Sequence, residues 1–179
     1  MYFKEDLEMS VSMYRISVPV FRQSLAALFA VLEKAETFCS ENDLESVELL
    51  EKRLAPDMFT LKQQVQRATF HAAQAAAKLT SSEIPLFEDN ENSFRDLKTR
   101  VQKVVEILGG FNPDQFEGSE GKELEVLTRI GTIPFIGEDF LLHFAIPQFF
   151  FHVTTAYDII RSAGVQLEKR DFIGSANYR

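Results

Sequence analysis

Cysteine is almost missing from this sequence. Cys39 stands alone among 179 residues, so no intrachain disulfide can form, and a reducing, cytoplasmic setting is the expectation. A dense basic cluster is missing as well. Only 19 lysines and arginines face 27 aspartates and glutamates, a net charge of −8, and such a surface repels phosphate backbones. Nucleic acid is therefore not an expected partner. The first dozen residues lack the apolar run of a secretory signal, since Glu5, Asp6 and Glu8 interrupt them. Phe140 to Val153, the stretch read as most apolar, is broken by His143, Pro147, Gln148 and His152 and is shorter than the roughly 20 residues that cross a bilayer. It reads as a buried helix, with no membrane partner. The length suits one domain with a sizeable core rather than two.

What is present is helical periodicity. Val18, Phe21, Leu25, Leu28, Leu32, Ala35 and Cys39 recur at steps of three and four, one face of an amphipathic helix. Ser17 is placed to cap its start, with Pro19 in the first turn, where a missing N–H costs nothing. Asp43 to Leu54 reads as a short helix closed by Pro56. A second long helix is expected from an Asp57 N-cap to about Leu79, with Leu61, Val65, Ala68, Ala72, Ala75 and Leu79 as its stripe. Its alanine run, Ala72 to Ala77, favours helix and leaves little side-chain bulk, so a neighbour can approach or a pocket can open. Thr80 to Asn92 holds Pro85, has no period and reads as a loop.

Ser93 with Asp96 resembles a capping box opening a third helix along Phe94, Leu97, Val101, Val104, Val105 and Leu108, and Gly109-Gly110 stops it. Glu123 to Leu127 and Thr132 to Ile136 suggest a small β-hairpin between the third and fourth helices. The fourth helix is expected over Glu138 to Ala163, ended by Gly164, with a tail lying along the surface. The fold class is all-α, a four-helix bundle. The fourth helix is apolar almost all round, which suits either the centre of the bundle or a face covered by a second copy in a homodimer.

Four segments carry a family likeness: Ser17-Val-Pro-Val-Phe; Leu54-Ala-Pro-Asp-Met with Gln64-Val-Gln; Phe149-Phe-Phe-His-Val-Thr-Thr-Ala-Tyr-Asp-Ile-Ile-Arg; and Gly164-Val-Gln-Leu-Glu-Lys-Arg-Asp-Phe-Ile-Gly. Together they resemble a domain-of-unknown-function family of bacteria and fungi, grouped with the DinB/YfiT-like metalloenzyme superfamily. The resemblance implies a DinB-like four-helix bundle, often dimeric, over residues 13–174, leaving 1–12 and 175–179 as flexible termini. It implies no particular activity. Better-studied relatives bind a divalent metal through three histidines, or conjugate or isomerise with a low-molecular-weight thiol. Those that bind metal carry two histidines four residues apart on the last helix. Here Ala156 follows His152 by four residues and Gln148 precedes it by four, so that pattern is broken.

The chain's three histidines are His71, His143 and His152. His143 and His152 are nine residues apart on one helix, which sets them on opposite faces and roughly 13 Å apart along the axis. They cannot share an ion, and His143 reads as peripheral. A metal site, if any, would join His71 and His152 with Glu36, the one carboxylate within the apolar stripe of the first helix, although it lies near a helix end where a glutamate reaches solvent. A divalent metal is thus a candidate cofactor. His71 sits at the edge of its stripe, suited equally to a pocket rim or to solvent.

His152 shares a helical face with Ala145, Gln148, Phe149, Ala156, Ile159 and Ala163, small and apolar neighbours that leave an imidazole buried and neutral. Two readings follow. In one, a pocket between the second and fourth helices, lined by His152 and Gln148, binds a small molecule. In the other, His152 is a structural core histidine in a non-catalytic, oligomer-forming domain. Gly118 to Gly121 lacks the lysine and preceding strand of a phosphate loop, and Cys39, at the end of an apolar stripe, reads as core. Tyr157 reads as packing and Asp158 as a surface charge. Lys169-Arg170-Asp171 could bind an anion, but more simply pins the tail to the acidic body by ion pairs.

Overall fold

The apolar stripes read from the sequence are the faces that pack. In the computed structural model, which describes residues 12–175, the long helices are α1 (Met13–Glu41), α3 (Leu61–Thr80), α4 (Phe94–Gly109) and α6 (Ile146–Ser162). Short helices α2 (Ser46–Leu50), α5 (Gly137–Asp139) and α7 (Lys169–Ile173) and a hairpin of β1 (Glu123–Thr128) and β2 (Gly131–Ile136) complete the fold. The termini expected to be flexible lie outside the described residues, apart from Ser12 and Ser175. α1 packs on α4 and α6, and α3 packs on α6 and α4, which closes a four-helix bundle. The stripe of α1 from Val18 to Cys39 is buried, as are Leu61, Val65, Ala68, Ala72, Ala75 and Leu79 of α3. α1, not Phe140 to Val153, is the helix long and apolar enough to span a bilayer by composition, with a mean hydropathy of 1.4. Its apolar face is spent on the bundle core.

Several boundaries differ from the sequence reading, each for a local reason. Ser17 does not cap α1. The helix begins at Met13, a turn earlier, and Ser17 Oγ donates back to the Met13 carbonyl at 2.6 Å. Burial of Met13, and the edge contact of Tyr14 with Phe116 at 5.5 Å, extend the helix beyond the serine. Pro19 is therefore inside the helix, on its exposed side. Asp57 does not cap α3. It lies in a turn after Pro56, and Thr60 is the cap: its hydroxyl faces the Gln63 N–H while the Gln63 side chain accepts from the Thr60 N–H at 3.0 Å. This is a capping box, in which two orphan donors are satisfied reciprocally. Asp43 to Leu54 contributes only the single turn of α2. Ser93 does cap α4, accepting from the Asp96 N–H at 3.1 Å.

The hairpin pairs antiparallel from Glu123 opposite Ile136 to Thr128 opposite Gly131, turning at Arg129-Ile130. It is tied to the C-terminal end of α3. Lys78 donates to the Glu125 carbonyl of β1 at 2.6 Å, and Lys122 donates to the Leu79 carbonyl at 3.2 Å, so the Lys122 ammonium meets the negative end of the helix dipole. Gly137, the first residue after the hairpin, has no room for a side chain: a Cβ there would lie 1.8 Å from the Ser119 carbonyl oxygen.

Between α5 and α6, residues Phe140–Ala145 wind as a π-helix. Pro147, which has no N–H to give, lies two residues beyond, and the Ile146 N–H reaches back five residues to Leu141. The fourth helix is thus wider in its first turns than a straight helix would be. Its later turns carry His152. The tail docks through α7: Asp171 pairs with Lys34 at 2.8 Å, Gln23 donates to the Ile173 carbonyl at 3.0 Å, and Phe172 meets Tyr157 edge-on. The acidic Asp171 does the pinning. Arg170 instead pairs with Glu168 beside it, because α7 turns its basic side outward.

Candidate functional site

A cleft of about 870 Å³ opens between α3, α6, the segment before α3 and the hairpin. α3 supplies Gln64, Arg67, His71 and Gln74, at steps of three, four and three, so they form one polar stripe down the helix, with Phe70 beside it. α6 supplies Gln148, Phe151 and His152. Phe59 and Met58 close one end, Phe144 lies in the π-turn, and Val126 to Ile130 with Ile133 form the hairpin wall.

His71 and His152 meet across this cleft with their rings 6° from parallel and centroids 5.4 Å apart. Gln64 fixes the state of His152. Its Nε2 donates to the Phe59 carbonyl at 3.2 Å, which turns Oε1 toward His152 Nδ1, 2.7 Å away. An amide oxygen only accepts, so the proton of His152 is on Nδ1. Burial, aided by the nearby positive charge of Arg67, pushes the pKa of His152 down to about 4, so at neutral pH the ring is uncharged and Nε2 keeps its lone pair. His71 is pushed down to about 3, by burial first and then by the neighbouring His152 and Arg67. Its Nδ1 is buried without a hydrogen-bond partner. An orphaned N–H is the rarer buried defect, which puts the proton of His71 on Nε2. One imidazole is left as acceptor and the other as donor.

Of the residues proposed for chemistry, His71, His152 and Gln148 all line the cleft. Glu36 does not. It is drawn across to α4, where Lys98 Nζ lies 2.7 Å from its carboxylate, and its side chain is 42% exposed. The set His71, His152 and Glu36 is therefore not assembled, and among the described residues no three histidine, cysteine, aspartate or glutamate side chains come together. A divalent ion in a catalytic site takes three protein ligands, and here it would have two, beside a guanidinium that raises the potential at both. The donor set does not fit the three-ligand metal centre of better-studied DinB-like proteins. His143 is at the surface, 3.9 Å from Asp139. Cys39 is buried in the core, where burial raises its thiol pKa. The sequence marks Gln64 only as part of a family segment and the hairpin only as a hairpin, and it does not mark Arg67 or Phe59, although positions 64, 67, 71 and 74 are spaced as one polar stripe.

The fold defines the class of protein. A crystal structure of a DinB family member from Shewanella denitrificans superposes with a TM-score of 0.87, at 33% sequence identity, covering 93% of this chain and 94% of that one. No curated protein matches the chain. Residues 13–173 match the domain of unknown function DUF1993, and the chain belongs to that family.

Proposed function

We propose that this DinB-like domain binds a small organic molecule in the cleft between α3 and α6, without a metal held by the protein. The observation that carries this reading is the His152 to Gln64 to Phe59 relay, which keeps a bare imidazole nitrogen at the wall of a roomy cleft. A nitrogen held in that state can accept a hydrogen bond or a proton from a bound molecule. His71 supplies the complementary donor, and Gln148 and Gln74 supply further polar contacts on an otherwise largely apolar wall. The buried thiol of the single cysteine agrees with a reducing, cytoplasmic setting.

A structural role is the second reading. The 2.7 Å bond to Gln64 would also satisfy a plain core histidine, and Phe151 and Leu142, 55% and 39% exposed, offer the fourth helix as a surface for a second copy. Saturation-transfer NMR against a library of small organic fragments separates the two. We expect hits that native protein shows and that His71→Ala and His152→Ala lose, while both variants stay folded by circular dichroism. Unchanged hits in both variants, with lowered stability alone, would leave the structural reading in place.

A further inference from the structure

The chain carries a net charge of −8, yet arginines dominate the charges at its cleft. Two of them, Arg67 and Arg129, face a single lining carboxylate, Asp57. Arg129 occupies the hairpin turn. Its guanidinium lies 5.7 Å from the Phe59 ring, and among the described residues no carboxylate comes within ion-pair distance of it. Arg67 pairs with Asp89 on the loop before α4 and lies 5.4 Å from the Phe70 ring, and its charge still bears on both histidines. A guanidinium meets a planar anion through parallel N–H donors. Beside them the wall is aromatic and branched: Phe144, Phe151 and Ile133.

We infer that the cleft selects a small organic anion, one carboxylate- or sulfonate-like group on a flat apolar body, with the charged end at Arg129 and Arg67 and the body along Phe59, Phe144 and Phe151. This rests on the small-molecule reading of the same cleft and adds the class of ligand. The neutral state of the two histidines belongs to the same design. Uncharged, they offer hydrogen bonds without competing for the anion, and the guanidiniums that attract an anion oppose a divalent cation.

A matched pair of fluorescent probes tests it. 8-Anilinonaphthalene-1-sulfonate and N-phenyl-1-naphthylamine share one aromatic body and differ by the sulfonate. Full-length protein is expected to bind the sulfonate about tenfold more tightly than the neutral amine, a preference that weakens with added salt. Arg129→Gln, at an exposed turn, should lose most of that preference without weakening the amine, and Arg129→Lys should restore part of it. Equal binding of the two probes, or a preference indifferent to Arg129→Gln, would overturn the anion while leaving a small-molecule cleft. Binding of neither probe would overturn both.

Discussion

Urea unfolding of this protein should show stability falling steadily as pH drops from 6.5 to 5, by roughly 3 kcal/mol in all, before most carboxylates begin to titrate. The cause is the histidine pair. In the unfolded chain each imidazole takes up a proton near pH 6.5. In the folded protein His71 resists until about pH 3, held down by burial first and then by His152 and Arg67, and His152 resists until about pH 4, held down by burial and then by Arg67. Folded pKa values below the unfolded ones mean that the unfolded state binds more protons throughout this window. Stability therefore rises with pH and is complete only above the unfolded value. Each group contributes up to about 1.4 kcal/mol for every pH unit between its two values. Replacing both histidines by glutamine should flatten the curve between pH 6.5 and 5. A native curve already flat there would mean that the rings are hydrated and free to charge.

The second large effect is expected at Arg100. Its side chain is 3% exposed, and each of its three nitrogens is engaged: Nε with Thr69 Oγ1 at 2.8 Å, Nη1 with Glu91 and with Asp89 at 2.8 Å, and Nη2 with the Gln66 carbonyl at 3.2 Å. The guanidinium also lies 4.4 Å from the Phe87 ring. It holds the loop between α3 and α4 against both helices, and through Asp89 it sets the carboxylate that pairs with Arg67 at the cleft. Arg100→Met should cost about 2–3 kcal/mol, because it takes the counter-ion from the half-buried Glu91. Burial alone would raise the Glu91 pKa, but bonds from Arg100 and Gln66 outweigh it and hold the carboxyl below its ordinary value. That stabilisation is present above the unfolded carboxylate pKa and is lost as pH falls through the folded one. The deficit of Arg100→Met should accordingly be greatest near neutral pH and shrink below about pH 4, and adding Glu91→Gln should recover part of it. A cost under 1 kcal/mol by urea unfolding would show that the network is solvated.

The bundle was legible because its stripes are long. Val18 to Cys39 and Leu61 to Leu79 repeat at helical spacing over many turns, and each of those positions is buried. Ser93 was legible because nothing competes with it for the start of α4. Ser17 misled because a serine inside a helix can bond to a carbonyl four residues back, and only the packing of Met13 and Tyr14 shows that the helix has already begun. Thr60 with Gln63 was a capping box in plain view, masked by the attraction of an aspartate after a proline. The π-turn at Phe140–Ala145 leaves no mark in periodicity beyond the proline that follows it.

The site was half legible. His152 was marked by the small residues on its face, and His71 by being a histidine on the facing helix. Glu36 went astray because position on a stripe says nothing about the lysine waiting on α4. Gln64, legible only as part of a family segment, and Arg67 carry no sign of a site, because glutamine and arginine on a long helix ordinarily face water. Only their spacing with His71 and Gln74 sets them apart.

The central claim is that His152 is neutral, with its proton on Nδ1 and its Nε2 bare. Nitrogen-15 spectra of the imidazole rings, followed from pH 8 to pH 4 with His152→Gln for assignment, report both the tautomer and the pKa. The account predicts an Nδ1–H signature for His152 that persists below pH 5. An Nε2–H tautomer, or a ring that charges near pH 6.5, would contradict it.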